Sequence, residues 1–321
     1  MNRLIVRNAI VVATAAVGAG VGAPILARSA FDREATTIAE APARAIDSAA
    51  KRIATATKQT YPGFDTNEYP GDNAMDAWRQ SGEYHWVGYY LQGGCHKDGS
   101  WSGKRKRLIE TGWGMAVVYV GQQTWGKSIP SPAAGPSAKS KNSKPGQPVR
   151  TMTRQSSAPV ANTGDTCSVQ FVNAERGVLD AADAIAKAES EGFEKGSTIF
   201  LDVERMENIP AAMRDYYQAW TQAVIADGRY RPGYYAHTHN AEEMYDDIRE
   251  VFDAAGIKTD PPFWIAGTRG FDIEKRPTDV GHSFAAVWQG LLDVVRTHNG
   301  VKLPVDINVS AVPSPSAVST E

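Results

Sequence analysis

Short apolar runs, most of them closed by a polar or acidic residue, recur along residues 61–309 and alternate with stretches whose apolar residues return every three or four positions. The runs are too short for helices and are rich in β-branched and aromatic side chains, which predicts strands. Eight fall at 61–66, 86–91, 115–120, 198–203, 233–236, 262–266, 285–289 and 305–309. Residues 115–120 are apolar without a break, the pattern of a parallel strand buried on both faces. Between the runs, Met75 and Trp78 share a helical face that stops at Gly82, and a second helix is expected over 104–111 before Gly112. Asn173 is placed to cap a helix ending at Gly192, with Val178, Ala182, Ile185 and Ala186 along one face. Asn208 and Pro210 open another, in which Met213, Tyr217, Trp220 and Val224 lie together before Gly228, and one more is expected near 241–255.

Strands alternating with helices over roughly 250 residues predict an α/β fold, a (β/α)8 TIM-type barrel. The last three connections look poor in helix, so that third has room to be irregular or partly open. The barrel is expected to fill residues 61–310, and the tail at 311–321 is expected to fray.

Three segments lack this patterning. Residues 1–30 carry Arg3 and Arg7 ahead of an apolar run from Ala9 to Ala27, then small residues, as an export signal does. Gly18, Gly20, Gly22 and Pro24 weaken the run as a permanent membrane span, so cleavage is expected, with membrane attachment only through an uncleaved signal. No twin arginine precedes it, which points to general secretion. Residues 31–60 read as a spacer or marginal helix. Residues 124–164 hold six prolines, seven serines, six basic residues and no acidic one, a composition that cannot bury a core and predicts a disordered insertion. Its basic charge would suit an anionic cell-wall polymer.

With 34 basic and 36 acidic residues the net charge is -2, which argues against a general affinity for nucleic acid. The two cysteines, Cys95 and Cys167, fall in loops leaving the same ends of consecutive strands. In an exported chain that placement predicts a disulfide, and neither has metal-ligand spacing.

The chemistry begins at Asp202 and Glu204, at the end of the fourth run. Alternation puts both on one side of a strand, with Cα atoms about 6.5 to 7 Å apart. Paired carboxylates are what glycoside hydrolysis uses, one protonated as general acid and one charged. Two more acids, Asp65 and Asp306, are read at the C-terminal ends of other runs, where barrels of this kind gather functional residues. Tyr90, Tyr119, Trp125, Tyr235, Trp264 and Trp288 are placed at the rim to stack on sugar, although such residues are often core. Gln289 adds a polar contact. His237 and His239 lack an aligned third ligand, so no metal is expected, and no motif requires a cofactor. No Gly-x-Ser-x-Gly elbow supports a serine nucleophile.

Taken in order, Gly63-Phe64-Asp65, Asp202-Val203-Glu204, Phe263-Trp264-Ile265-Ala266, Trp288-Gln289 and Val305-Asp306-Ile307-Asn308 resemble the glycoside-hydrolase-like domain of mycobacterial secreted Rv2525c-type proteins, also called the domain of unknown function 1906. More distantly they are similar to the family 25 lysozymes. The resemblance implies that Asp65, Asp202, Glu204 and Asp306 line an active site, with Glu204 as proton donor. It departs at Gly267-Thr268-Arg269, where the lysozymes usually place an aromatic residue after the Trp-x-Ala motif. Two functions follow as expectations: a secreted, monomeric glycosidase acting on peptidoglycan or a related cell-wall polysaccharide, or a catalytically silent carbohydrate-binding envelope protein on the same barrel.

Overall fold

A computed structural model describes residues 60–125 and 167–318. The signal and almost all of the spacer and of the insertion expected from the sequence lie outside the described residues. All eight expected strands form: β1 (Tyr61–Asp65), β2 (Trp86–Leu91), β3 (Gly114–Val120), β4 (Thr198–Asp202), β5 (Arg231–His237), β6 (Phe263–Ala266), β7 (Ala285–His298) and β8 (Val301–Ser310). They close into one barrel in sequence order.

Helices cover only the first five connections: α1 (Asp72–Gln80), α2 (Arg105–Glu110), α3 (Ala174–Ser190), α4 (Ala211–Asp227) and α5 (Thr238–Ala254). A short 3-10 turn at Pro277–Val280 lies between β6 and β7, and a hairpin joins β7 to β8. Its two turn residues, Asn299 and Gly300, have φ of 46° and 80°, the left-handed geometry that matches the twist of a two-residue hairpin. A hairpin reverses the chain, so β8 runs antiparallel to both β7 and β1 while the other neighbours are parallel. The barrel is irregular in its last third and still closed.

Two features differ from expectation. The α3 cap is as predicted, Asn173 accepting from the Arg176 N–H. The buried face, however, runs through Gly177, Ala181, Ala184, Ile185 and Ala188, while Val178 is exposed. Polar residues rotate it: Arg176 and Asp180 are themselves buried and paired at 2.7 Å, and Tyr216 on α4 donates to Asp180. The tail does not fray over 311–318. Ser316 is buried, its Oγ accepts from Val117 N, and its carbonyl accepts from Thr198 N, so the tail closes the bottom of β3 and β4.

Inside the barrel Trp86, Phe200 and Trp264 meet edge to face. Gly63 is what admits them: a Cβ there would stand 2.2 Å from the Trp86 ring. Cys95 and Cys167 are disulfide-bonded across a sequence separation of 72.

Candidate active site

Every strand of the barrel sends one side chain into a single cavity of about 150 Å³. These are Asp65, Tyr90, Val118, Asp202, Tyr235, Trp264, Gln289 and Asp306, joined by Glu204 just past β4 and Asn67 just past β1. Pairing register explains the convergence. Asp65 is opposite Asp306, Tyr90 opposite Val118, and Asp202 opposite Tyr235, which is in turn opposite Trp264. Residues paired directly across a ladder point to the same face. Asp306 needs the antiparallel strand: it lies toward the start of the barrel part of β8, and only chain reversal brings that start to the rim where β1 and β4 end. A neighbouring acidic groove of about 290 Å³, lined also by Thr66, Glu68, Asp293 and Pro304, shares Asp65, Asn67 and Asp306 with the cavity.

Asp65 is the hub. It is buried, its Oδ1 accepts from Gln289 Nε2 at 3.0 Å and Asn308 Nδ2 at 2.7 Å, and its Oδ2 accepts from Tyr90 Oη at 2.7 Å. Gly88 makes room for it, since a Cβ there would lie 2.6 Å from the Asp65 Cβ. Gln289 also donates to Asp306 at 3.1 Å, and its Oε1 accepts from Tyr235 Oη at 2.7 Å, so its amide is fully engaged by protein groups. Asn308 Oδ1 accepts from Trp264 Nε1 at 2.9 Å. By contrast, Asp202 Oδ1 is buried without a hydrogen-bond partner.

Burial raises the pKa of all four carboxyls. For Asp202 it pushes the group well above the usual range, reinforced by the charges of Glu204 and Asp65. Asp306 is pushed up to about 7, by burial and then by the charge of Asp65. Glu204 is raised by burial, against a backbone N–H bond from Arg205, with Asp65 adding to the rise. In Asp65 burial outweighs the three side-chain donors, which favour its charged form. Like charges at such spacing cannot all ionise cheaply, so the cluster keeps protons near neutral pH.

The structure gathers Asp65, Asp202, Glu204, Asp306, Tyr90, Tyr235, Trp264 and Gln289 around the cavity and does not bring Tyr119 or Trp288 to it. Tyr119 and Trp288 each neighbour a residue that faces the cavity, Val118 and Gln289, so alternation turns them outward. Tyr119 Oη donates to Asp183 on α3 at 2.9 Å. Trp288 Nε1 donates to the Gly267 carbonyl, with the ring edge-on to Phe271. Trp264 does line the cavity, yet it is 1% exposed and offers sugar no open face. His237 and His239 serve locally: His237 caps α5 by accepting from His239 N. Two polar residues were not among the expected site residues: Asn67, which lines the cavity, and Asn308, which donates to Asp65. For Asn308 the period of two from Asp306 was the available signal.

The Rv2525c-like, glycoside hydrolase-like domain matches residues 76–310. An uncharacterized protein of B. stearothermophilus is similar at 17% identity, covering 78% of this chain and 95% of that one, with a TM-score of 0.49. The Clostridium perfringens spore cortex lytic enzyme SleM is similar at 14%, covering 78% and 67%, with a TM-score of 0.47. The Mycobacterium tuberculosis Tat-secreted protein Rv2525c, solved with L-tartrate, is similar at 15%, covering 80% and 97%, with a TM-score of 0.43. No curated protein matches. The matched segment runs from within α1 to the end of β8 and holds Asp202, Glu204 and Asp306, with Asp65 just before it, and on that match the chain belongs to the Rv2525c-like, glycoside hydrolase-like family.

Proposed function

We propose that this protein is a secreted glycosidase that cleaves peptidoglycan or a related cell-wall glycan by carboxylate acid/base chemistry. One observation supports the reading above others: four carboxyls share one barrel mouth, and they differ in how completely the protein satisfies them. Asp65 accepts three side-chain hydrogen bonds and anchors the cluster. Asp306 is tied to it through Gln289. Asp202 keeps a buried oxygen for a substrate group, and Glu204, just past β4, is half-buried, as Asp306 is.

In this reading Glu204 gives its proton to the leaving oxygen of the glycosidic bond. The bond to the anomeric carbon breaks, its electron pair stays on that oxygen, the cluster's negative charge stabilises the positive centre left behind, and water then adds to that carbon and returns a proton to the Glu204 carboxylate. Asp202 meets the reacting sugar through its unpartnered oxygen. Tyr90 and Tyr235 have hydroxyls held protonated by burial and neighbouring carboxylates, so they stay donors and orient Asp65 and Gln289. The expected export signal would place the chain at the wall.

A second reading, a glycan-binding barrel without turnover, uses the same carboxyl cluster as acceptors for sugar hydroxyls. Mass spectrometry of the soluble fraction after incubating the protein with purified cell walls separates the two. Released saccharides support the enzyme, and retention on walls with nothing released supports the binder.

A further inference from the structure

Strand β4 ends at Asp202, so the main chain carrying Glu204 has left the β-ladder. On one side it is still tied to the barrel through Val203 N, which donates to Tyr235 O at 3.1 Å. On the other side β3 has also ended, and its place is taken by a side chain. Gln123, buried and three residues beyond β3, donates from Nε2 to Asp202 O at 2.8 Å and accepts at Oε1 from Glu204 N at 3.1 Å. One amide thus imitates a missing strand residue.

The loop that presents Gln123 is itself fixed. Gln122 N donates to Tyr216 Oη at 3.0 Å, and Tyr216 donates onward to buried Asp180. The Gln122 side-chain oxygen accepts from Ser168 N at 3.1 Å, one residue past the disulfide at Cys167. Gly121 must lack a side chain here, because a Cβ would stand 2.6 Å from Tyr216 Oη.

We propose that Gln123 is a positioning residue that holds the Asp202–Glu204 main chain, and so sets where the Glu204 carboxyl stands in the barrel mouth. Its catalytic meaning rests on the glycosidase reading above; its geometric content does not. Only a primary amide of this length supplies both the donor and the acceptor, since glutamate lacks the donor and asparagine is one carbon short. Without the clamp, residues 203–205 are tied on one side alone and Glu204 is free to swing toward water. The groups around Glu204 are Asp202 beside it, Asp65 on β1, Tyr235 on β5, Asp306 on β8 and the Arg205 backbone.

The test is a carboxyl ¹³C NMR titration of the full-length protein, with the Glu204 signal assigned from Glu204→Gln. Gln123→Met keeps the length and apolar bulk but neither hydrogen bond. The Glu204 midpoint should fall toward the ordinary glutamate range by at least about half a pH unit as the group gains water. An unchanged midpoint in a folded Gln123→Met overturns the proposal. Should that variant fail to fold, Gln123→Asn gives the same readout, with a lowered midpoint supporting the clamp and an unchanged one overturning it. No substrate enters the measurement, so it stands whether or not the wild type cleaves glycan.

Discussion

Asp65 and Asp306 stand directly opposite each other across the antiparallel β1–β8 pair, and one side-chain amide, that of Gln289, donates to both at 3.0 and 3.1 Å. Like charges directly opposed on a ladder are destabilising. The barrel keeps such a pair at its mouth together with two further acids, and the consequences can be measured.

Asp306 has a folded-state pKa pushed up to about 7, well above the ordinary aspartate value. The folded chain therefore binds this proton more tightly than the unfolded chain does. Its stabilising effect is full below the unfolded pKa, near 4, and is lost as pH rises through about 7. Asp306→Asn should therefore raise stability at pH 8 by about 1 to 2 kcal/mol, the full shift being discounted because the group is partly open to water, and add little at pH 4. Thermal melts at the two pH values check this, and an equal gain at both would remove the electrostatic cause.

The tail at 311–318 is part of the fold. Ser316→Ala leaves the Val117 N–H buried without its acceptor, which should cost about 1 to 3 kcal/mol in denaturant unfolding. A cost below a few tenths would mean that the tail is dispensable.

The disulfide closes a loop across 72 residues that includes the insertion. Replacing Cys95 and Cys167 by alanine should destabilise the protein by about 4 kcal/mol in the chain-entropy model, and the denatured, unreduced wild type should titrate no free thiol.

The aromatic residues divide by strand parity. Tyr119→Phe removes a hydrogen bond to α3 and should cost about 1 kcal/mol of stability while leaving glycan affinity unchanged. Tyr90→Phe removes a donor to Asp65 inside the cavity and should disturb the site while changing the outer layer little. Calorimetric binding of purified wall fragments distinguishes them, and equal losses of affinity would contradict the assignment of faces.

Strand positions were legible because each short apolar run is a strand, from 61–66 through 305–309, and three of the four acids were legible as residues ending those runs. Strand direction was not. Asn299-Gly300 is the local sign of a hairpin, but residues 290–298 lack a continuous apolar run, and so the extension of β7 and the reversal of β8 were not read. Asp306 was placed at the correct rim for a parallel strand, whereas the actual reason is an antiparallel one. Which aromatics face the cavity is not legible for Tyr119 and Trp288, because inward and outward aromatics look alike in a strand buried on both faces. Gln123 had no sequence signal at all: it sits in a loop, and its role exists only through the main chain it meets.

The most direct measurement of the central claim is release of reducing ends from purified cell-wall glycan between pH 4 and 8 by the wild type and by Glu204→Gln. The account predicts turnover by the wild type and a loss of at least about a hundredfold in the variant, smaller on substrates whose leaving group needs no proton. Wild-type protein that releases nothing across that range would contradict it, leaving the four carboxyls as a binding site on a silent barrel.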